Sequence, residues 1–261
     1  MRSRVTLGLL GLLIAAAALV AALPGRNYAT QDRDSPMAGA SRLHWSGTDD
    51  LGRDRTVRTA VALLIGLAGA VAASAVSVSL AAGIGTVAAF SPRPVGGTLM
   101  LLSDIFLALP WLFLLMIVRS ALPLAISPMR SAAVTFFILA ALGWPACARA
   151  VYRGAHDLRC SEWMNQGRAA GLSRPQLIRG LLPHLRPLLV PQFLLCIPAF
   201  LVAEANMGAL GLGIAEPLPS WGGMLLELDN SAMLARSGWV YLPIALLIAL
   251  LLLLESLAHE V

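Results

Sequence analysis

Residues 149–187 read RAVYRGAHDLRCSEWMNQGRAAGLSRPQLIRGLLPHLRP. This arginine-rich island stands between two long apolar runs. Arg149, Arg153, Arg159, Arg168, Arg174, Arg179 and Arg186 face only Asp157 and Glu162. A polar, helical, glycine-punctuated stretch cannot sit in hydrocarbon, so it predicts a docking element at the cytoplasmic face of a membrane protein driven by another subunit.

Outward from the island the chain is apolar. It is 58% hydrophobic and 13% charged, with a mean hydropathy of +0.77. Several runs reach the roughly 20 residues that cross a bilayer as a helix, and a helix satisfies its own backbone where lipid cannot. The expected class is all-α, a polytopic membrane helix bundle with about six spans near 5–23, 59–88, 99–119, 131–150, 188–209 and 238–257. Residues 5–23 follow Arg2 and Arg4 and are longer than a signal-peptide core, so they predict a retained first helix. With those arginines inside, both termini fall in the cytoplasm and the island becomes the basic inner loop that the positive-inside rule expects.

The net charge of +5 comes from arginines beside apolar runs, which points to membrane topology rather than nucleic acid. Six Arg and five Asp in 24–58 nearly balance and direct topology little. Span two carries Gly66, Gly69, Ala70, Ala72, Ala73, Ser74, Ala75, Ser77 and Ser79, small residues that let helices approach closely. Pro110, Pro145, Pro191 and Pro198 predict bent later spans. The glycine-rich pieces 208–213 and 219–224 predict a tight turn on the outer mouth, with Trp221 tucked into the membrane interface.

Asp104 and Glu204 are the ionisable groups most clearly inside spans, each requiring a partner, water or the bundle interior. They read either as a relay or coupling-ion site or as structural hydrogen-bond acceptors. No His or Arg at helical spacing completes a relay. His44, His156, His184 and His259 are scattered, and Cys147, Cys160 and Cys196 lack metal-ligand spacing. No metal site is expected, no catalytic motif occurs, and an enzyme is disfavoured.

Several blocks in order carry a resemblance. Gly47-Thr48-Asp49-Asp50-Leu51-Gly52-Arg53-Asp54 precedes span two, and Asp104 leads to Leu109-Pro110. Gly143-Trp144-Pro145 with Ala148-Arg149 closes span four. Ala203-Glu204-Ala205, Leu210-Gly211-Leu212-Gly213 and Pro219-Ser220-Trp221-Gly222 follow in span five and after it. Together they resemble the permease subunits of bacterial ABC importers, most closely the second permease of the dipeptide, oligopeptide and nickel group. The resemblance implies a type I importer permease fold, with 1–58 as a first helix plus extracytoplasmic segment and 59–261 as the transmembrane domain.

It also implies that the island is the coupling loop, near 151–187, that docks on an ATPase. Asn165, Gln166 and Gly167 stand where the family has Glu-Ala-Ala, followed by Arg168, Ala169, Ala170, Gly171 and Leu172. Gly171 and Leu182-Pro183 are kept; the glutamate is replaced by Asn165, and the spacing from Gly171 to Pro183 is one residue short. Implied partners are ABC ATPase subunits carrying ATP and Mg, a sister permease and an extracytoplasmic binding protein. The implied cargo is a small solute, a peptide first and nickel or a metal chelate next. A bulky Gly171→Trp substitution should block docking. The alternative function is an ion- or proton-coupled secondary transporter using Asp104 and Glu204, which would need no ATPase.

Overall fold

The computed structural model describes residues 2–121, 127–229 and 238–260. Ten α-helices appear among them, with no strand beyond an isolated Thr48–Asp54 bridge. They are α1 (Arg2–Ala21), α2 (Arg55–Phe90), α3 (Arg93–Ala108), α4 (Trp111–Ser120), α5 (Pro128–Leu142), α6 (Trp144–Arg159), α7 (Glu162–Ala169), α8 (Arg174–Ala209), α9 (Trp221–Leu226) and α10 (Leu242–His259). Five stretches are long and apolar enough to cross a membrane, and α3 with α4 make a sixth if that bent pair is one span. The expected helix bundle is therefore observed.

α2 is the central post, packing against α1, α3, α5, α6 and α8. At about 1.5 Å per residue its 36 residues reach about 54 Å, well beyond the hydrocarbon core. Its N-terminus is set by Asp54, whose side chain accepts from the backbone amides of Thr56 and Val57. Ala70, Ala73, Ser74, Ser77, Val78, Ala81 and Gly85 are buried at helical spacing and form the packed stripe, whereas Ala72, Ala75 and Ser79 of the same span are exposed. Close approach is literal at Gly85, where a Cβ would lie 2.6 Å from the Ala148 carbonyl oxygen of α6.

One expectation about the spans is corrected, and two elements run longer than the spans read from sequence. Span three is not one gently bent rod: α3 and α4 meet at 90° across Leu109-Pro110, because Pro110 offers no amide and pushes Leu109 into an extended conformation. Span five, expected over 188–209, is the apolar part, Pro183–Ala209, of a longer helix; α8 begins at Arg174, opened by Ser173, whose amide donates to Gln176 Oε1 at 2.8 Å. Pro175 sits in its first turn, where its missing N–H costs nothing. Within 151–187, read from sequence as polar and helical, α6 runs on to Arg159 and α7 alone lies between the long helices.

The ends of α2 define two ends of the bundle. One carries α7 and a core of Val151, Met164, Leu177, Leu181 and Leu185. The other carries residues 22–54 and the α8–α10 connection, above a larger core that includes Leu63, Leu115, Leu139, Leu201, Trp221 and Leu250.

Candidate functional site

α7 is held out from the bundle as a short helix with a fixed pose. Ser161 caps its start, accepting from the Met164 amide. Met164 is fully buried, and Gly167 lies so close to α8 that a Cβ would come within 2.6 Å of a Leu177 methyl. Trp163 stacks on His184 of α8 with ring centroids 4.8 Å apart. The helix ends where Gly171 turns left-handed at φ 77°. Its amide donates to the Arg168 carbonyl and the Leu172 amide donates to that of Gly167, both at 3.0 Å.

Of the eight residues singled out here, Asn165, Gln166, Arg168, Ala169, Ala170, Gly171 and Leu172 are exposed and Gly167 faces α8. Arg168 reaches back to the Arg159 carbonyl at 3.3 Å. The free face carries Glu162, Asn165, Gln166, Ala169 and Ala170: one acid, two amides and two methyls, with the exposed Arg168 at its edge donating to Asn165 Oδ1 at 3.4 Å.

Asp104 and Glu204 are far from being a pair. Asp104 on α3 forms an ion pair with Arg149 on α6, a partner that reading along one helix could not find. Glu204 on α8 is 1% exposed and faces the Ser220 hydroxyl and the backbone amides of Trp221 and Gly222. Its oxygens lie off ideal hydrogen-bond geometry, yet every group they face is a donor at the positive end of α9. Trp221, expected from sequence to be tucked into the membrane interface, has its side chain fully buried inside the protein. The side-chain-free surface of Gly66 leaves its slot on α2, where an added Cβ would lie 2.8 Å from the indole Nε1.

α9 is seated by three glycines. A Cβ on Gly208 would fall 2.5 Å from the Cα of Gly222, and one on Gly213 would fall 2.5 Å from the Cα of Gly208. The α8–α9 crossing therefore brings backbone against backbone.

Arg26, Arg53, Arg55 and Arg58 of the 24–58 segment are held in ion pairs, with Asp49 and Asp54 among their partners. Asp49 is fully buried and accepts from the Arg53 amide at 2.8 Å, from Arg53 Nε at 2.6 Å and from the Leu51 amide at 3.0 Å. Arg58 Nε lies 3.5 Å from the same carboxylate. Arg53 and Arg58 then both engage Glu216 in the α8–α9 connection, and Asp54 gathers His44 and Arg26. The sequence reading missed this network because Arg53 and Glu216 lie 163 positions apart; the Asp49-x3-Arg53 spacing was its one local sign. Cys147 and Cys196 are likewise brought together, their sulfurs 3.6 Å apart across α6 and α8 as free thiols.

Arg55 pairs with Glu227 at 3.0 Å. Burial outweighs that neighbour and pushes the Glu227 carboxyl up to about 7 from an ordinary 4.5. The folded chain thus holds this proton more tightly than the unfolded one, so the contribution is fully present below pH 4.5 and is lost as pH rises through about 7. Melting curves from pH 4.5 to 8 should show that decline, and Glu227→Gln should flatten it.

No group of three or more metal-ligating side chains occurs among the described residues. The arrangement offers packed helices, an exposed short helix at one end and a glycine-seated hairpin at the other. Residues 81–260 match the family described as binding-protein-dependent transport system inner membrane component. A Brucella suis protein named as a peptide permease is 31% identical over 201 residues, covering 76% of this chain and 64% of its own length. The oligopeptide transport system permease protein OppC of Bacillus subtilis is 29% identical over 76% of this chain and 63% of its own. OppC of Mycobacterium bovis is 28% identical over 97% of this chain and 84% of its own. The chain thus spans just under two thirds of the Brucella and Bacillus relatives it matches. With the family match covering well over half of its length, the chain belongs to the inner membrane components of binding-protein-dependent transport systems.

Proposed function

We propose that the chain is the permease subunit of an ATP-driven importer for peptides, coupled to a separate ATPase through α7. The observation that carries this reading is the rigid presentation of α7. A two-turn helix whose outer face carries Glu162, Asn165, Gln166, Ala169 and Ala170 is locked to α8 by Met164, Gly167 and Trp163. Such a helix can fill a cleft on another protein and pass its movement to α8. ATP and Mg belong to that partner. A sister permease and an extracytoplasmic binding protein complete the assembly, and both chain termini then lie in the cytoplasm with α7. The oligopeptide names of the relatives support peptide over nickel as cargo. Ion-coupled transport through Asp104 and Glu204 has less support, since Asp104 pairs with Arg149 and Glu204 faces donors on α9.

Gly171→Trp is a poor test of docking, because a side chain at φ 77° strains the turn by itself. Ala169→Trp on the exposed face adds bulk without that strain. Affinity purification from native membranes should recover an ATPase with the wild-type chain and lose it with Ala169→Trp, while the mutant chain still reaches the membrane. Recovery of the ATPase by the mutant at wild-type yield would remove α7 as the docking helix.

A further inference from the structure

At the end of the bundle opposite α7, the glycine-seated α8–α9 hairpin meets the end of α4. Arg119, in the last turn of α4, is 1% exposed. Its Nε donates to the Leu212 carbonyl at 3.0 Å, and its Nη2 donates to Ser131 Oγ at 2.8 Å and to the Gly213 carbonyl at 3.2 Å. All three acceptors are neutral, and Nη1 is buried with no hydrogen-bond partner among the described residues. A buried guanidinium without an opposite charge is a costly arrangement, and it is one that an incoming anion relieves.

Arg119 borders a cavity of about 340 Å³, walled also by Gly208, Gly211, Gly213, Ser220 and Gly223. Four glycines leave the backbone open to close approach. Glu216 is the single acid on that wall, and its two carboxylate oxygens are engaged by Arg53 and Arg58. Neither 122–126 nor 230–237, the internal stretches outside the described residues, contains an Asp or Glu. The counter-charge that Arg119 lacks is therefore supplied neither by those stretches nor by a described ion pair.

The geometry points to an anion subsite at the outer mouth, in which Arg119 takes a carboxylate of the incoming solute. The outer placement rests on the importer reading above, whereas the chemistry rests on Arg119 alone. A planar guanidinium with a free Nη is suited to a carboxylate oxygen. A cavity of this size holds a terminal carboxylate and the residue bearing it rather than an extended chain. Ser220 links the subsite to the rest of the hairpin, because its hydroxyl also faces Glu204. A bound anion would thus sit on the same loop that packs Trp221 against α2.

Calorimetric titration of the purified full chain in lipid nanodiscs tests this directly, with tri-alanine, tri-alanine C-terminal amide and inorganic phosphate as probes. The expected result is saturable binding of tri-alanine, weakened about ten-fold or more for the amide. Arg119→Gln should abolish the preference for acid over amide, and Arg119→Lys should keep it at reduced affinity. Equal binding of acid and amide would overturn the proposal, as would the absence of saturable binding. Saturation by phosphate without tri-alanine would replace a carboxylate with an oxyanion of another class and overturn it too. Should Arg119→Gln fail to fold, the comparison of acid and amide on the wild-type chain still decides. Peptide uptake by whole cells is read separately: its absence alongside acid-selective binding removes the importer reading and leaves the subsite standing.

Discussion

Asp49→Ala is expected to destabilise the chain by about 3–5 kcal/mol, the range found when one partner of a buried charge pair is removed. The reason is the number of groups that lean on one carboxylate. Two backbone amides and Arg53 Nε donate to it, and Arg58 Nε lies within 3.5 Å. Alanine leaves both arginines buried around an empty position, while Glu216, whose side chain is 56% exposed, replaces only part of the charge. Asp49→Asn should fall between, since its amide oxygen can still receive the Leu51 and Arg53 amides but carries no charge. Glu216→Gln, at the solvated edge, should stay within about 1 kcal/mol. Thermal unfolding in detergent ranks the three variants. Equal, small losses for Asp49→Ala and Glu216→Gln would mean that Asp49 does not organise the network.

The second large effect is expected at Gly208. A valine there places its Cβ 2.5 Å from the Cα of Gly222, and backbone cannot move aside as a flexible side chain can. Overpacking alone costs about 1–3 kcal/mol, and displacing α9 would also pull Trp221 from its slot on Gly66. Loss of import activity together with a lowered melting temperature is the expected outcome. Gly83→Ala is the matched control. Nothing lies within 4 Å of its added Cβ, so it should gain roughly 0.5–1 kcal/mol from helix propensity. A Gly208→Val chain that melts and transports like wild type would show that α8 and α9 do not need this contact.

Much of the bundle was legible because membrane helices announce themselves by length, and α2 by the spacing of its small residues. Gly66 and Gly69 were recognisable as sites of close approach, although not that they receive Trp221 and Phe136. The right-angled break at Leu109-Pro110 was half visible: proline signals a bend, but its size depends on what packs around it. The early start of α8 was in principle readable from Ser173 and Gln176 at capping-box spacing, a signal masked by four downstream prolines. Arg119 was hidden for another reason. It stood at the end of a span, where a flanking charge is ordinary, and the carbonyls that enclose it come from residues 93 and 94 positions away. The partner of Asp104 escaped likewise, since Arg149 lies on another helix.

Pro183, Pro187, Pro191 and Pro198 all interrupt α8 without ending it. At 100° per residue they fall within a sector of about 80°, so the backbone amides they lack are all missing from one side of the helix, and bending there shares one direction. α8 is accordingly a leaf spring with one plane of flexure, clamped at its first turns by α7 and at its far end by the Gly208–Gly222 crossing. A sideways displacement at one clamp is returned at the other as a change of arc, with little sliding along the axis.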